Sequence, residues 1–212
     1  MKIQTTNYQN YLQQIPEKGR HILAQQTDNK ILVYQAFNPN IARYAIDNQR
    51  FGGNHYSFNR MTWIKPNFLW MMYRCGWAEK HNQECVLGIW ITKSGFETIL
   101  KEAAYSSYQA DIYQTTENWK TDLANKSVRL QWDPDHDIYG AKQERRAIQL
   151  GMKGDILKQF NDQMICKIVD MTSFVKNQKL LIDTHQLKQL KVPNENIFKP
   201  SDKNLNDFLK LD

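Results

Sequence analysis

Several of the features that place a chain quickly are missing here. No run of 18 apolar residues occurs, so no membrane-spanning helix is expected. The opening stretch Met-Lys-Ile-Gln-Thr-Thr-Asn-Tyr-Gln-Asn is polar and lacks the apolar core of a secretory signal, which predicts a cytoplasmic protein. Cysteine is scarce. Cys75, Cys85 and Cys166 are odd in number, far apart and without a Cys-x-x-Cys pair, the pattern of buried free thiols in a reducing compartment. The five histidines, His21, His55, His81, His136 and His185, are scattered, which speaks against a zinc site. There is no phosphate-binding Walker loop, no G-x-G-x-x-G and no G-x-S-x-G. These absences weigh against kinase, dinucleotide-fold dehydrogenase and α/β-hydrolase readings. No internal repeat is visible.

One further absence is local. No Asp or Glu occurs between Asp47 and Glu79, yet Arg50, Arg60, Lys65 and Arg74 all lie in that window. Its densest part, Asn59 to Trp77, holds Trp63, Trp70 and Trp77, half of the six tryptophans. A run that is aromatic, cationic and free of carboxylates suits an anion carrying a flat ring. Nucleotides and nucleic acids have both features. The net charge of +6 and a pI near 9.1 favour anionic partners in the same direction.

The chain of 212 residues is long enough for one domain with a substantial core, and 41% hydrophobic and 12% aromatic content predict a globular fold. Residues 1–28 read as a Gln-rich lead-in with a short helix over Tyr8, Tyr11, Leu12 and Ile15 that stops near Pro16, and a second short piece over His21–Gln26. Ile31–Phe37 reads as a strand, rich in β-branched and aromatic residues. Asn38 and Pro39 start a helix whose Ile41, Ala42, Ala45 and Ile46 share a face, and Gly52-Gly53 closes that unit. A loop follows to Ile64, then a helix from Asn67 to Cys75 ended by Gly76. Cys85–Thr92 reads as a buried strand, and Ser94-Gly-Phe-Glu97 as a capping box for a helix reaching about Ala104. Tyr105–Asn125 reads as a long loop. Val128–Trp132, Arg145–Leu150 and Met164–Asp170 read as strands, and Asp133-Pro-Asp-His-Asp137 as a turn. A helix is expected from Asp155 to Asp162, and a helix or turn after Asp170 to about Leu181. The polar stretch 183–212 is expected to be a loosely packed tail behind a single domain of residues 1–182, with one short helix near Asn204–Leu211. The class is α+β, with a mixed or split sheet of five or six strands and short flanking helices.

The site candidates come from the same window. Arg60, Lys65 and Arg74 can hold phosphate oxygens, because guanidinium forks and ammonium groups match them. Trp63 and Tyr73 are the rings free to stack on a base, Thr62 lies between the cations, and Trp70 reads as core. Gln35 is a polar residue in an apolar strand and needs partners or a ligand. Glu84 stands at the mouth of a strand just after the cationic block, a suitable place for a general base or a stabiliser of positive charge. Asp133, Asp135 and Asp137 alternate as in hard-cation loops but lack the glycine and closing Glu of such a loop, so no metal site is expected.

Six segments carry a resemblance to a known family. They are Val33-Tyr-Gln-Ala-Phe-Asn-Pro39, the block from Arg60 to Arg74, the Gly76-Trp-Ala that follows it, Gln83-Glu84, Gln131-Trp-Asp-Pro134 and Arg146-Ala-Ile-Gln-Leu-Gly151. On these the chain resembles domain-of-unknown-function family 4291 from about residue 20 to 180, with Asn67 where serine is expected. The layout, a strand ending Tyr34-Gln35-Ala36, a helix, an aromatic block and a later strand led by Glu84, is also similar to the ADP-ribosyltransferase fold. That second resemblance implies NAD as cofactor in a cleft between two small sheets. Tyr34 and Gln35 would line the cleft, Arg60, Lys65 and Arg74 would hold the pyrophosphate, Trp63 or Tyr73 would stack, and Glu84 would stabilise charge at the ribose. Gln35 stands where that fold offers Arg or His. The expected function is therefore a nucleotide-handling transferase using NAD. The alternatives are a non-catalytic RNA- or DNA-binding module, with the same residues tracking a strand, and a structural protein in which Arg60 and Arg74 pair with acids in the core.

Overall fold

A computed structural model describes residues 2–212. The chain runs β1 (Thr5–Asn7), α1 (Tyr8–Gln14), β2 (Gly19–Arg20), β3 (Ile22–Ala24), β4 (Lys30–Phe37), α2 (Pro39–Asn48), β5 (Thr62–Ile64) and α3 (Phe68–Cys75). It continues through β6 (Cys85–Thr92), α4 (Lys93–Lys101), β7 (Ala103–Tyr105), α5 (Ala110–Tyr113), α6 (Thr116–Asn125), β8 (Val128–His136) and β9 (Lys142–Met152). It ends with α7 (Gly154–Gln159), β10 (Ile165–Asp170), α8 (Thr172–Asp183), β11 (Lys191–Pro193), β12 (Asn196–Phe198) and α9 (Lys203–Leu209). The class is α+β.

Two sheets organise the molecule. The first is antiparallel, in the order β10-β6-β4. Its strands are apolar runs because both faces are buried. Ile31, Val33, Leu87, Ile89 and Ile91 face one core, while Leu32, Tyr34, Val86 and Trp90 face the other. The second sheet is mixed and has five strands: β8 and β9 form its long antiparallel centre, β7 runs parallel to β8, and β2 and β5 share the far edge of β9. The sheets meet at one point. Tyr34 and Lys65 exchange backbone hydrogen bonds of 2.7 and 3.1 Å, which carries β4 onto the end of β5.

Local chemistry explains most of the elements. Asn38 caps α2 by accepting from the N–H groups of Asn40 and Ile41, and Pro39 occupies its first position. Asn67 caps α3 by accepting from Trp70 N, so asparagine does here what serine would do. Gly76 ends α3 in the left-handed region, at φ 58°, and its N–H bonds back to the last turn. Phe68, Met71, Met72 and Cys75 are buried on one stripe of that helix, as their spacing predicts.

The structure differs from the sequence reading at several places. The second short piece of the lead-in, His21–Gln26, contains the strand β3, which pairs with β12. The cap of α4 is Thr92, which accepts from Gly95 N; Glu97 instead holds Ser201 through its backbone N–H and hydroxyl. That helix ends at Lys101, and Ala103–Tyr105 is a strand. Tyr105–Asn125 forms α5 and α6, held by Trp119 Nε1 donating to Tyr105 O at 2.8 Å. β8 continues through Asp133 to His136, with the turn beyond it: Asp137 Oδ1 accepts from Tyr139 N and Ala141 N. Of the three cysteines only Cys75 is fully buried, because Cys166 lies on the outer edge strand β10. Residues beyond Asp183 pack tightly. β11 pairs β1, β12 pairs β3, and Leu190, Val192, Phe198, Leu205 and Leu209 are all buried. Their apolar side chains are few and irregularly spaced, which hides them in a polar stretch. Among the described residues no helix is long and apolar enough to cross a membrane.

Candidate functional site

Where the two sheets meet, a cleft of about 750 Å³ opens on the side away from the core. One wall is the outer face of the five-stranded sheet. Along β8, Val128, Leu130 and Trp132 turn to the core, so Gln131 and Asp133 turn outward into the cleft. Gln149 stands directly opposite Gln131 on β9. Trp63 of β5 pairs with Gly151, and its indole lies over that residue: a Cβ on Gly151 would come within 2.7 Å of the ring. The second wall is α3, which supplies Trp70, Tyr73 and Arg74. The end of β4 supplies Gln35 and Phe37, and the loop before β5 supplies Arg60 and Met61. A smaller depression of about 390 Å³, bordered by His55, Tyr56 and Asn82, shares Phe37, Arg60, Met61 and Thr62 with the cleft.

The cations set the character of this space. Arg60, Lys65 and Arg74 all line it, and among the described residues none of them forms an ion pair. The acids expected as partners are engaged elsewhere or held by amides. Lys65 is 4% exposed. Burial, with Arg74 nearby adding repulsion, lowers its ammonium to about 8. A buried, partnerless lysine at a cleft wall is costly to keep unless a ligand supplies the missing charge.

One carboxylate lies in the cleft, and it is Asp133. Its Oδ1 accepts from Gln131 Nε2 and its Oδ2 from Gln149 Nε2, both at 2.8 Å. Each oxygen keeps a lone pair for a ligand. Gln35 is 2% exposed; its Nε2 donates to Thr62 Oγ1 at 2.6 Å and to Trp63 O at 3.2 Å, and its Oε1 has no partner.

Seven of the nine residues expected at the site are therefore brought together: Gln35, Arg60, Thr62, Trp63, Lys65, Tyr73 and Arg74. Two are not. Tyr34 is fully buried, edge-on to Phe68 at 5.5 Å, and burial with Glu195 beside it pushes its phenol well above the ordinary range. Glu84 turns into its own loop, where it accepts from Asn82 N at 2.8 Å and lies 3.6 Å from the His81 ring; its neighbour Gln83 lines the cleft instead. Hydrogen bonds from its own N–H and that of Asn82 hold its carboxyl below the usual range. Glu84 is thus a loop-closing acid, and Glu84→Gln is expected to change ligand affinity by less than about twofold in a titration, as for other substitutions outside a site. A tenfold loss would return it to the site. Tyr73 lines the cleft, but its ring is already stacked on His136 at 3.5 Å and on Trp70 at 5.4 Å, which leaves Trp63 as the ring free to stack.

The position of α3, and so of Arg74, is fixed from behind. Glu195, fully buried, accepts from Phe68 N at 2.8 Å and from the Tyr11 hydroxyl at 2.9 Å. Asp135 accepts from Arg145 Nε and Nη2 at 2.8 and 2.7 Å, and Asn67 Nδ2 reaches the same oxygen at 3.4 Å. A bulge between Pro134 and His136 shifts the register and turns Asp135 away from the face that carries Asp133. Asp133, Asp135 and Asp137 accordingly serve three separate places. Among the described residues no group of three or more His, Cys, Asp or Glu is placed to hold a metal ion.

The residues that sequence reasoning left without a role are Gln131, Asp133, Gln149, Asp135, Arg145 and Glu195. The first three had a visible signal, since Gln131 and Asp133 alternate with Leu130 and Trp132 along β8, and Gln149 falls between Ile148 and Leu150 on β9. Glu195 had none.

The family model described as Domain of unknown function (DUF4291) matches residues 21–198, most of the chain, which therefore belongs to that family. No curated protein matches the chain.

Proposed function

We propose that this member of the DUF4291 family handles a nucleotide, whose phosphate groups sit on Lys65, Arg60 and Arg74 and whose ring lies beside Trp63. The observation that carries the reading is Lys65: a lysine 4% exposed, with no ion-pair partner among the described residues and a pKa lowered by burial, lining a cleft with two further unpaired cations. A phosphate or pyrophosphate supplies the charge those three groups lack. The lone carboxylate and the amides of the opposite wall suit the polar edge of a base. A transferase acting on NAD through Glu84 has no support from the site, because Glu84 is turned away. Any bond-breaking step in the cleft falls to Asp133 and Lys65, and NAD is one of the nucleotides the test must include.

The test is a calorimetric titration with NAD, ADP-ribose and nucleoside diphosphates. Binding at micromolar to millimolar concentration is expected, and silence for all of them removes the proposal. Arg74 provides the companion experiment. It is exposed, near the C-terminus of α3, where any cation gains about 0.3–1 kcal/mol. Lysine satisfies that role but cannot reproduce two parallel bonds to a phosphate. Arg74→Lys is therefore expected to melt as the parent does and to bind nucleotide at least about tenfold more weakly, or about 1.4 kcal/mol. Equal binding would make Arg74 a helix-end charge only.

A second reading, a module that binds single-stranded RNA or DNA, is favoured by one observation. The cleft runs on into the smaller depression through Phe37, Arg60, Met61 and Thr62, which gives a track longer than one nucleotide. Affinity for a strand would then fall by roughly 0.7 log units per log of salt for each phosphate contacted. Weak binding indifferent to salt argues against it.

A further inference from the structure

Four glutamines, Gln35, Gln83, Gln131 and Gln149, line the cleft, and all but Gln83 donate to fixed acceptors. Gln35 Nε2 donates to the Trp63 carbonyl as well as to Thr62 Oγ1, while Gln131 Nε2 and Gln149 Nε2 donate to the two oxygens of Asp133. Carbonyl and carboxylate oxygens only accept, so turning any of these amides round would set two acceptors face to face. These three amides are therefore fixed in orientation, each with its oxygen unbonded, while Gln131 and Gln149 each keep one N–H free. For Gln35 that oxygen is buried and has no partner at all. Asp133 adds two carboxylate oxygens with a lone pair each to spare. Asp133 is thus the one charged acceptor among the residues lining the cleft, against the cations Arg60, Lys65 and Arg74.

We propose that the cleft selects guanine. This rests on the nucleotide reading above. Guanine places two donors, N1–H and the N2 amino group, side by side on its pairing edge, and two acceptors, O6 and N7, on its other edge. Adenine sets a ring acceptor beside its one amino group. Cytosine does the same, and uracil flanks its single N–H with two carbonyls. Against the two oxygens of the Asp133 carboxylate, only guanine offers two adjacent donors, and each of the others brings an acceptor onto one of them. A carboxylate held in orientation by two amides rejects the wrong edge, because its oxygens are left unpaired once the ligand has covered them.

The experiment is a calorimetric series on the unmodified protein with GDP, IDP, ADP, UDP, CDP, NAD and inorganic pyrophosphate, repeated for GDP and ADP on Asp133→Asn. GDP is expected to bind at least about a hundredfold more tightly than ADP, with IDP, which lacks the N2 amino group, in between. Asp133→Asn is expected to shrink the GDP preference to less than about tenfold while leaving pyrophosphate affinity in place. ADP or NAD binding as tightly as GDP overturns guanine selection and leaves the nucleotide reading standing. Pyrophosphate binding as tightly as GDP shows an anion site that reads no base, and overturns it too. If none of the compounds binds, the nucleotide reading itself falls. Should Asp133→Asn fail to fold, the ranking of GDP, IDP and ADP on the parent still decides.

Discussion

Lys65→Met is expected to give a protein that melts several degrees higher than the parent and no longer holds nucleotide. Lys65 has 4% of its surface exposed and no ion-pair partner among the described residues. Burial first, and Arg74 second, take its pKa from 10.5 to about 8. At 1.36 kcal/mol per pH unit, that drop corresponds to a folding penalty on the order of 3 kcal/mol. The sign follows from proton counting. Below pH 8 both folded and unfolded chains carry the charge, and the penalty is complete. Between about 8 and 10.5 the unfolded chain still binds a proton that the folded chain has released, so stability rises with pH across that window. Methionine has a similar length and no charge, so it fills the space without the penalty. For a chain of this size the gain at pH 7 corresponds to roughly 5–10 °C in melting temperature. Nucleotide affinity should fall by at least about a hundredfold, or roughly 2.7 kcal/mol. Melting curves at pH 7 and pH 10, with one titration, check all three parts. A variant that melts lower than the parent would show that Lys65 is satisfied within the fold.

The second large effect lies behind the cleft. Asp135→Asn leaves the Arg145 guanidinium buried, at 5% exposure, with its charge uncompensated. Breaking one side of such a pair costs about 3–5 kcal/mol, whereas replacing both partners by apolar groups of similar volume is often neutral. Burial pushes the Asp135 carboxyl up while Arg145 beside it pulls the other way, so the pair depends on its geometry. We expect Asp135→Asn to melt roughly 10 °C below the parent or lower, and Asp135→Leu with Arg145→Met to recover most of the loss. Asp135 also reaches Asn67, the cap of α3. The single variant should therefore lose nucleotide affinity through the displaced helix, and the double variant should regain stability more fully than affinity. A single variant that melts within a degree or two of the parent would mean that the ion pair is not what holds this corner.

These two residues also mark how far sequence reasoning reached. Local rules were enough for α2 and α3, where cap, proline and glycine all agree, and for β4 and β6, whose apolar runs are long. They were enough to collect Arg60, Lys65, Trp63 and Arg74, because those residues lie in one acid-free window. They failed where a distant partner decides. Asp135 looks like a turn residue until a bulge aims it at Arg145, and Glu195 looks like part of a polar tail until Tyr11 and Phe68 receive it. Thr92 rather than Ser94 caps α4, and Glu97 is taken by the distant Ser201. Glu84 stands beside a strand mouth, but its side chain turns back to its own loop, and the carboxylate of the cleft comes from Asp133, one sheet away.

The most direct measurement is a ¹⁵N titration of the lysine side chains, with and without GDP. Lys65 should titrate near 8 in the free protein, and its pKa should rise when a phosphate comes to lie on the ammonium. A Lys65 signal that titrates in the ordinary lysine range and does not move when nucleotide is added would contradict both the unpaired ammonium and the site built around it.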